Sequence, residues 1–169
     1  MNPAVDAALA SAFTTESDEG ASELVGRRWV TMATLSPRLL AIVEALPLRA
    51  DMRVLQIGGA PGAAARAVAR QLGDGHIMVI DRSAVGVAQI RTNAAVEIGA
   101  GLLSVRCVAV EDFSLRPDDL AFGIRVGALD GRHPGAGAPA LQRVARALTP
   151  QGRLFIDGGD PLREIPLPR

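Results

Sequence analysis

The residue types and spacings best suited to chemistry lie where apolar runs end. The run "MRVLQI" stops at Gly58-Gly59-Ala60-Pro61-Gly62, and apolar residues then resume at helical spacing in "GAAARAVARQL". Glycines let a backbone approach a ligand closely. A helix starting there offers free N–H groups and the positive end of its dipole, so the loop favours anionic or electron-rich groups. About twenty residues further on, Asp81 closes a second run, "HIMVI", where a carboxylate can accept two hydrogen bonds from a pair of ribose hydroxyls. A third run, "LLSVRCV", leads to Glu111-Asp112 and Phe113. One of these carboxylates could meet the exocyclic amine of an adenine, with the Phe113 ring against its face. Three ligand-type groups on three successive run ends point to an adenosine site.

A fourth run, "LAFGIRV", is interrupted near its carboxyl end by Arg125, and the loop beyond it holds Asp130 and His133. These three are the candidates for contact with a reacting partner. His133 could remove a proton from an oxygen or nitrogen, histidine being the side-chain type suited to that role at neutral pH. Other residues narrow the chemistry by their type or absence. Cys107, in "LLSVRCVAV", is the single cysteine and reads as a buried small hydrophobe; disulfides within the chain and cysteine-based zinc sites are excluded. His76 opens the second run, away from the ligand end, and is incidental. No residue set is assigned to a metal. The chain has no lysine and no tyrosine, which removes P-loop nucleotide hydrolysis, pyridoxal chemistry and the Tyr-Lys chemistry of short-chain dehydrogenases.

Elements that could position these residues follow from the apolar periods. "SPRLLAIVEALPL" carries Leu39, Val43 and Leu46 on one helical face, with Ser36 and Pro37 as a helix start. Five short strands alternate with helices: "MRVLQI", "HIMVI", "LLSVRCV", "LAFGIRV" and "GRLFID". The helix "SAVGVAQIRTNAAVEI" places Val87, Ile90, Ala94 and Ile98 on one stripe, and "APALQRVARAL" aligns Leu141, Val144, Ala145 and Leu148. Strands apolar on both faces alternating with helices predict a three-layer, doubly wound α/β fold with a mostly parallel sheet and right-handed crossovers. Residues 1–35 are expected to form short helices capping one end of the sheet, and residues 36–169 the ligand-binding domain. The tail "GGDPLREIPLPR" is too short and proline-rich for two more strands.

At 169 residues and 17.6 kDa the chain fits one domain. Eighteen basic residues balance eighteen acidic ones, so no positive field gathers phosphates and nucleic acid is not an expected partner. No apolar stretch is long enough for a bilayer, and no basic residue precedes Arg27 as a signal or transit peptide would require. A soluble, cytoplasmic protein with no membrane partner is expected.

Together "VLQIGGAPGAAARAVARQLG", "MVIDRSAVGVAQI", "CVAVEDFSL" and "LTPQGRLFIDGG" resemble, in order and spacing over residues 52–159, the successive motifs of class I S-adenosylmethionine-dependent methyltransferases. The resemblance implies S-adenosylmethionine as cofactor. It implies that Gly58, Gly59, Ala60 and Gly62 line its methionine and ribose part, that Asp81, with Arg82 beside it, takes the ribose hydroxyls, and that Glu111, Asp112 and Phe113 border the adenine. The loop near Arg125, Asp130 and His133 would then face the methyl acceptor. Three departures stand out: Gln56 occupies a position usually held by an acid that helps hold the cofactor's ammonium, Ala60 replaces the middle loop glycine, and the last two strands are missing. The open edge they leave would be covered by the tail, by the amino-terminal helices or by a second subunit in a homodimer. Motifs of adenine-amino, cytosine-C5 and ribose methylation are absent, which leaves a small organic acceptor. The alternative is a non-catalytic relative that keeps the fold as a binding or assembly module.

Overall fold

The structure, a computed structural model, describes residues 35–114 and 118–168. The expected cap over 1–35 lies outside the described residues apart from Leu35. Helix α1 (Pro37–Ala45) starts at Ser36, whose hydroxyl accepts from the Leu39 N–H. The alternation then runs β1 (Arg53–Ile57), α2 (Ala63–Ala69), β2 (His76–Asp81), α3 (Ala84–Asn93), α4 (Ala95–Gly99), β3 (Leu103–Cys107), a 3-10 turn over Val110–Asp112, β4 (Asp118–Gly123), α5 (Pro134–Ala147), β5 (Leu148–Asp157) and β6 (Leu162–Ile165).

These strands form one sheet in the order β3-β2-β1-β4-β5-β6, parallel through β5, with β6 antiparallel to β5. The chain winds outward from β1 through β2 to β3 and then returns to the other side of β1 as β4. The expected doubly wound fold is thus present, and the order reverses between β1 and β4, where the loops diverge and leave a crevice.

Period-two alternation divides the strand residues between two cores. Val54, Ile77, Val79, Leu120 and Phe122 join Val43 of α1, Ala65 and Val68 of α2 and Ile90 of α3; Leu55, Ile57, Ile80, Ala121 and Ile156 join Ala140, Val144 and Ala147 of α5. The α5 stripe is therefore Ala140-Val144-Ala147, with Leu141 and Ala145 only partly buried and Leu148 already in β5. The single helix expected over 83–98 is divided at Ala94, where φ −105 and ψ 21 leave the helical region. Just before it, Thr92 Oγ1 bonds back to the Ala88 carbonyl, a bond that competes with the helical ladder. Val87, Ile90 and Ala94 are buried on the expected stripe and Ile98 partly so.

Two expectations are corrected here. The tail contributes a strand after all: β6 closes the β5 edge, stapled by Arg153, which forks onto the Glu164 carboxylate (2.6 and 3.0 Å) and stacks over Phe155. Its flanking Pro161 and Pro166 obscured it, yet an antiparallel edge strand tolerates proline at its ends. Cys107 is exposed rather than buried, because it ends β3, the strand at the other sheet edge, which has a neighbour on one side only.

Two buried carboxylates sit in this frame. Glu97 of α4 accepts from Arg66 (3.3 Å) and Arg70 (2.6 Å), tying α4 to the helix α2 side of the sheet. Asp118, opening β4, is buried with Oδ1 at 3.4 Å from Arg53 Nε and Oδ2 without a partner. Burial holds its carboxyl above the ordinary carboxylate range, against the opposing pull of Arg53 and His76 and assisted by Asp119. A carboxyl that binds its proton more tightly in the folded than in the unfolded chain contributes stability at low pH and loses it as pH rises through the folded value. Asp118→Asn should therefore be more stable than the parent at pH 7, by on the order of 1 kcal/mol, with the difference vanishing toward pH 3.5. Urea unfolding across that pH range checks this, and a constant difference would contradict it.

Candidate functional site

A cavity of about 780 Å³ opens at the carboxyl ends of β1, β2 and β4, at the point of strand-order reversal. Its floor is the loop after β1, and that loop is fastened on three sides. The Gly58 N–H donates to the Ile80 carbonyl (2.8 Å), the Ala60 N–H to Asp81 Oδ2 (3.3 Å), and Asn93 Nδ2 donates to the Pro61 carbonyl (2.9 Å). Gly58 and Gly62 hold φ values of 69° and 101°, which residues with a Cβ resist. Gly59 serves another purpose: a Cβ there would collide with Val79 Cγ1 of β2, so its bare backbone lets the loop lie flat on the neighbouring strand. The methyl of Ala60 sits over Gly86 in the first turn of α3, where a Cβ would come within 3.1 Å of it. A glycine missing from the loop is thus matched by a glycine in the facing helix.

Gln56, at the end of β1, is 2% exposed, and its Oε1 has no hydrogen-bond donor. Its residue lines the cavity beside Gly58 and Gly59. Buried side-chain acceptors are nearly always satisfied, and one left open costs about 1–3 kcal/mol. Asp81, across the loop, is half-buried and lines the same cavity. Its Oδ1 accepts from the Ser83 N–H (2.9 Å) and its Oδ2 from Ala60, leaving each oxygen with a second lone pair for a ligand hydroxyl.

The remaining sequence-predicted residues divide. Gly58, Gly59, Ala60, Gln56, Asp81, Arg82, Glu111, Arg125 and His133 all line the cavity. Gly62 does not; it is the buried residue that caps the start of α2. Phe113 is buried in the core under α5, so it offers no ring face to a ligand, and Asp112 is exposed outside the cavity. The 3-10 turn over Val110–Asp112 is responsible: it directs three successive side chains in three directions. Asp130 also stays outside the lining. It binds the Arg132 guanidinium (2.7 Å) and N–H (3.1 Å), and these bonds hold its carboxyl below the ordinary range, so it is poorly suited to take a proton. Arg125 lies two residues past β4 rather than inside a strand. His133 is exposed at the start of α5, its ring against Gly127 and its N–H donating to the Gly127 carbonyl (2.9 Å). His76 points away from all this, bonded to the Gly101 carbonyl and Ser104.

Three residues escaped the sequence reading. Arg38 and Arg132 line the cavity, and Asp157 at the end of β5 binds the Arg38 guanidinium and accepts from the Arg125 N–H (2.9 Å). Asp157 carried a usable signal, an acid ending an apolar strand as Asp81 does; Arg38 on an amphipathic helix carried none.

No protein-family model matches this sequence, and no curated protein matches it. Solved structures do. YcgJ from Bacillus subtilis superposes with a TM-score of 0.60 at 21% identity, covering 70% of this chain and 49% of that one. A methyltransferase from Geobacter sulfurreducens in complex with S-adenosylhomocysteine gives 0.58 at 24%, covering 77% and 54%. The cyclase SpnF gives 0.58 at 25%, covering 68% and 42%. The chain thus has the Rossmann-like methyltransferase fold and spans about half the length of these solved chains.

The packing role assigned to Gly59 predicts that Gly59→Ala destabilises the protein by about 1–3 kcal/mol and that adding Val79→Ala restores part of the loss. Thermal melts of the single and double variants check the coupling; additive losses would contradict it.

Proposed function

We propose that the cavity binds S-adenosylmethionine and that the protein transfers its methyl group to a small organic molecule. The observation that carries this reading is the buried Gln56 oxygen, which lacks a donor at the place where the fold brings a ligand against the Gly58–Gly62 loop. An ammonium would supply that donor. Glutamine offers it no charge, so the bond keeps the charge of its donor but lacks the ion-pair attraction that a carboxylate would add. Asp81 would take the ribose hydroxyls while keeping its own bonds to Ala60 and Ser83, and Glu111 would border the adenine from the turn after β3.

When bound, S-adenosylmethionine supplies an electrophilic methyl on a sulfonium, which passes in line to a lone pair of the acceptor. The protein's share of such a reaction is placement and exclusion of water. Glycine loop and strand ends fix one reactant; the loop after β4 faces the other. His133, on that loop and lining the cavity, can accept the proton that an O–H or N–H acceptor releases. A cytoplasmic setting and an acceptor that is neither nucleic acid nor membrane belong to the same proposal, supported by the balanced charge and by a described fold in which no helix is long and apolar enough to cross a membrane.

Calorimetric titration with S-adenosylmethionine, S-adenosylhomocysteine and NAD tests the reading: the first two should bind saturably and NAD should not. Asp81→Ala should weaken S-adenosylhomocysteine at least tenfold, the loss of one or two charge-assisted hydrogen bonds. Unchanged affinity would remove Asp81 from the site. Absence of binding by all three would favour the module that keeps only the fold.

A further inference from the structure

Arg125 is the single non-glycine residue with positive φ among the described residues, at 57°. A side chain with a Cβ is disfavoured there and persists only where its surroundings impose the conformation. Here they do so from both sides. Its N–H donates to Asp157 Oδ1 (2.9 Å), and its carbonyl accepts from Arg132 Nη2 (2.7 Å). Each clamp is itself held, Asp157 by the Arg38 guanidinium and Arg132 by Asp130 (2.7 Å).

The same pairing sets the charge of this side of the cavity. Arg38 and Arg132 are neutralised by Asp157 and Asp130, whereas Arg125, an exposed residue that lines the cavity, has no ion-pair partner among the described residues. The carboxylates lining the cavity, Asp81 and Glu111, belong to the end of β2 and to the turn after β3, on the other side of β1 from β4. Arg82, likewise without an ion pair among the described residues, lines the cavity next to Asp81, so the β2–β3 side sets two carboxylates against one guanidinium, whereas the β4–β5 side carries the Arg125 cation with no unpaired carboxylate beside it. Neither core packing nor an ion pair accounts for a guanidinium at a backbone position better suited to glycine.

We propose that Arg125 is the anion-recognising residue of the acceptor side of the cavity, so that the methyl acceptor carries a carboxylate or a phosphate. A planar guanidinium meets either group with two parallel hydrogen bonds. The inference rests on the methyl-transfer reading for the word acceptor; the anion site itself does not.

Amide chemical-shift titrations test it, adding acetate in one arm and inorganic phosphate in the other to protein saturated with S-adenosylhomocysteine. Saturable shifts around residues 124–133 are expected, and the tighter arm identifies the group. Arg125→Gly should weaken that binding at least tenfold, leave S-adenosylhomocysteine affinity within twofold and leave the melting temperature equal or higher, since glycine accepts the left-handed backbone. Three results would overturn the proposal. One is no saturation by either anion, and another is equal binding by Arg125→Gly. The third is a tenfold loss of S-adenosylhomocysteine affinity in that variant, which would assign the guanidinium to that ligand's own carboxylate. If S-adenosylhomocysteine fails to bind the parent protein, the same titrations on free protein still decide: Arg125-dependent saturation upholds the anion site while the cofactor reading falls.

Discussion

The hydrogen bond from the Ala60 N–H to Asp81 joins the loop after β1 to the end of β2, and the site depends on that junction. With the Gly58 N–H on the Ile80 carbonyl and the bare backbone of Gly59 against Val79, it brings two strand ends and one helix start into a single surface. The other Asp81 oxygen fixes the Ser83 N–H at the start of α3. One carboxylate thus orders loop, strand and helix before any ligand arrives, so little ordering is left to oppose binding. Gly86, opposite Ala60, is part of the same fit.

Across the switch point a second junction repeats the device. Asp157 ends β5 as Asp81 ends β2, and it too accepts a loop N–H, that of Arg125. The two acids bracket the cavity, each with its neighbouring loop drawn toward it. They differ in what they leave free. Asp81 retains lone pairs for hydroxyls, whereas Asp157 is occupied by Arg38 and leaves Arg125 without an ion pair on the β4–β5 side. The same fold frame appears in a methyltransferase and in the cyclase SpnF, so reaction type resides in such loop residues rather than in the sheet.

Much of this was legible in the sequence because parallel strands covered on both faces write themselves as short apolar runs, and the glycine loop and Asp81 fall at their ends. What failed to read was anything set by local turns or by position in the sheet. Glu111, Asp112 and Phe113 look like one cluster, yet the 3-10 turn sends only Glu111 into the cavity and Phe113 into the core. Cys107 has apolar neighbours in sequence, but β3 is an edge strand, which nothing local reveals. Strand β6 is hidden between prolines. Asp130 looks like a free acid until Arg132, two residues on, is seen to fold back upon it.

If a ligand supplies the donor that the buried Gln56 oxygen lacks, Gln56→Met will separate the free from the bound protein. Methionine is close in size and shape to glutamine and has no strong acceptor to leave buried. Melting temperatures with and without S-adenosylhomocysteine should move in opposite directions: the free variant should melt a few degrees above the parent, while the increase on adding ligand shrinks as affinity falls tenfold or more. A variant that melts lower when free and gains as much from the ligand as the parent would contradict the claim.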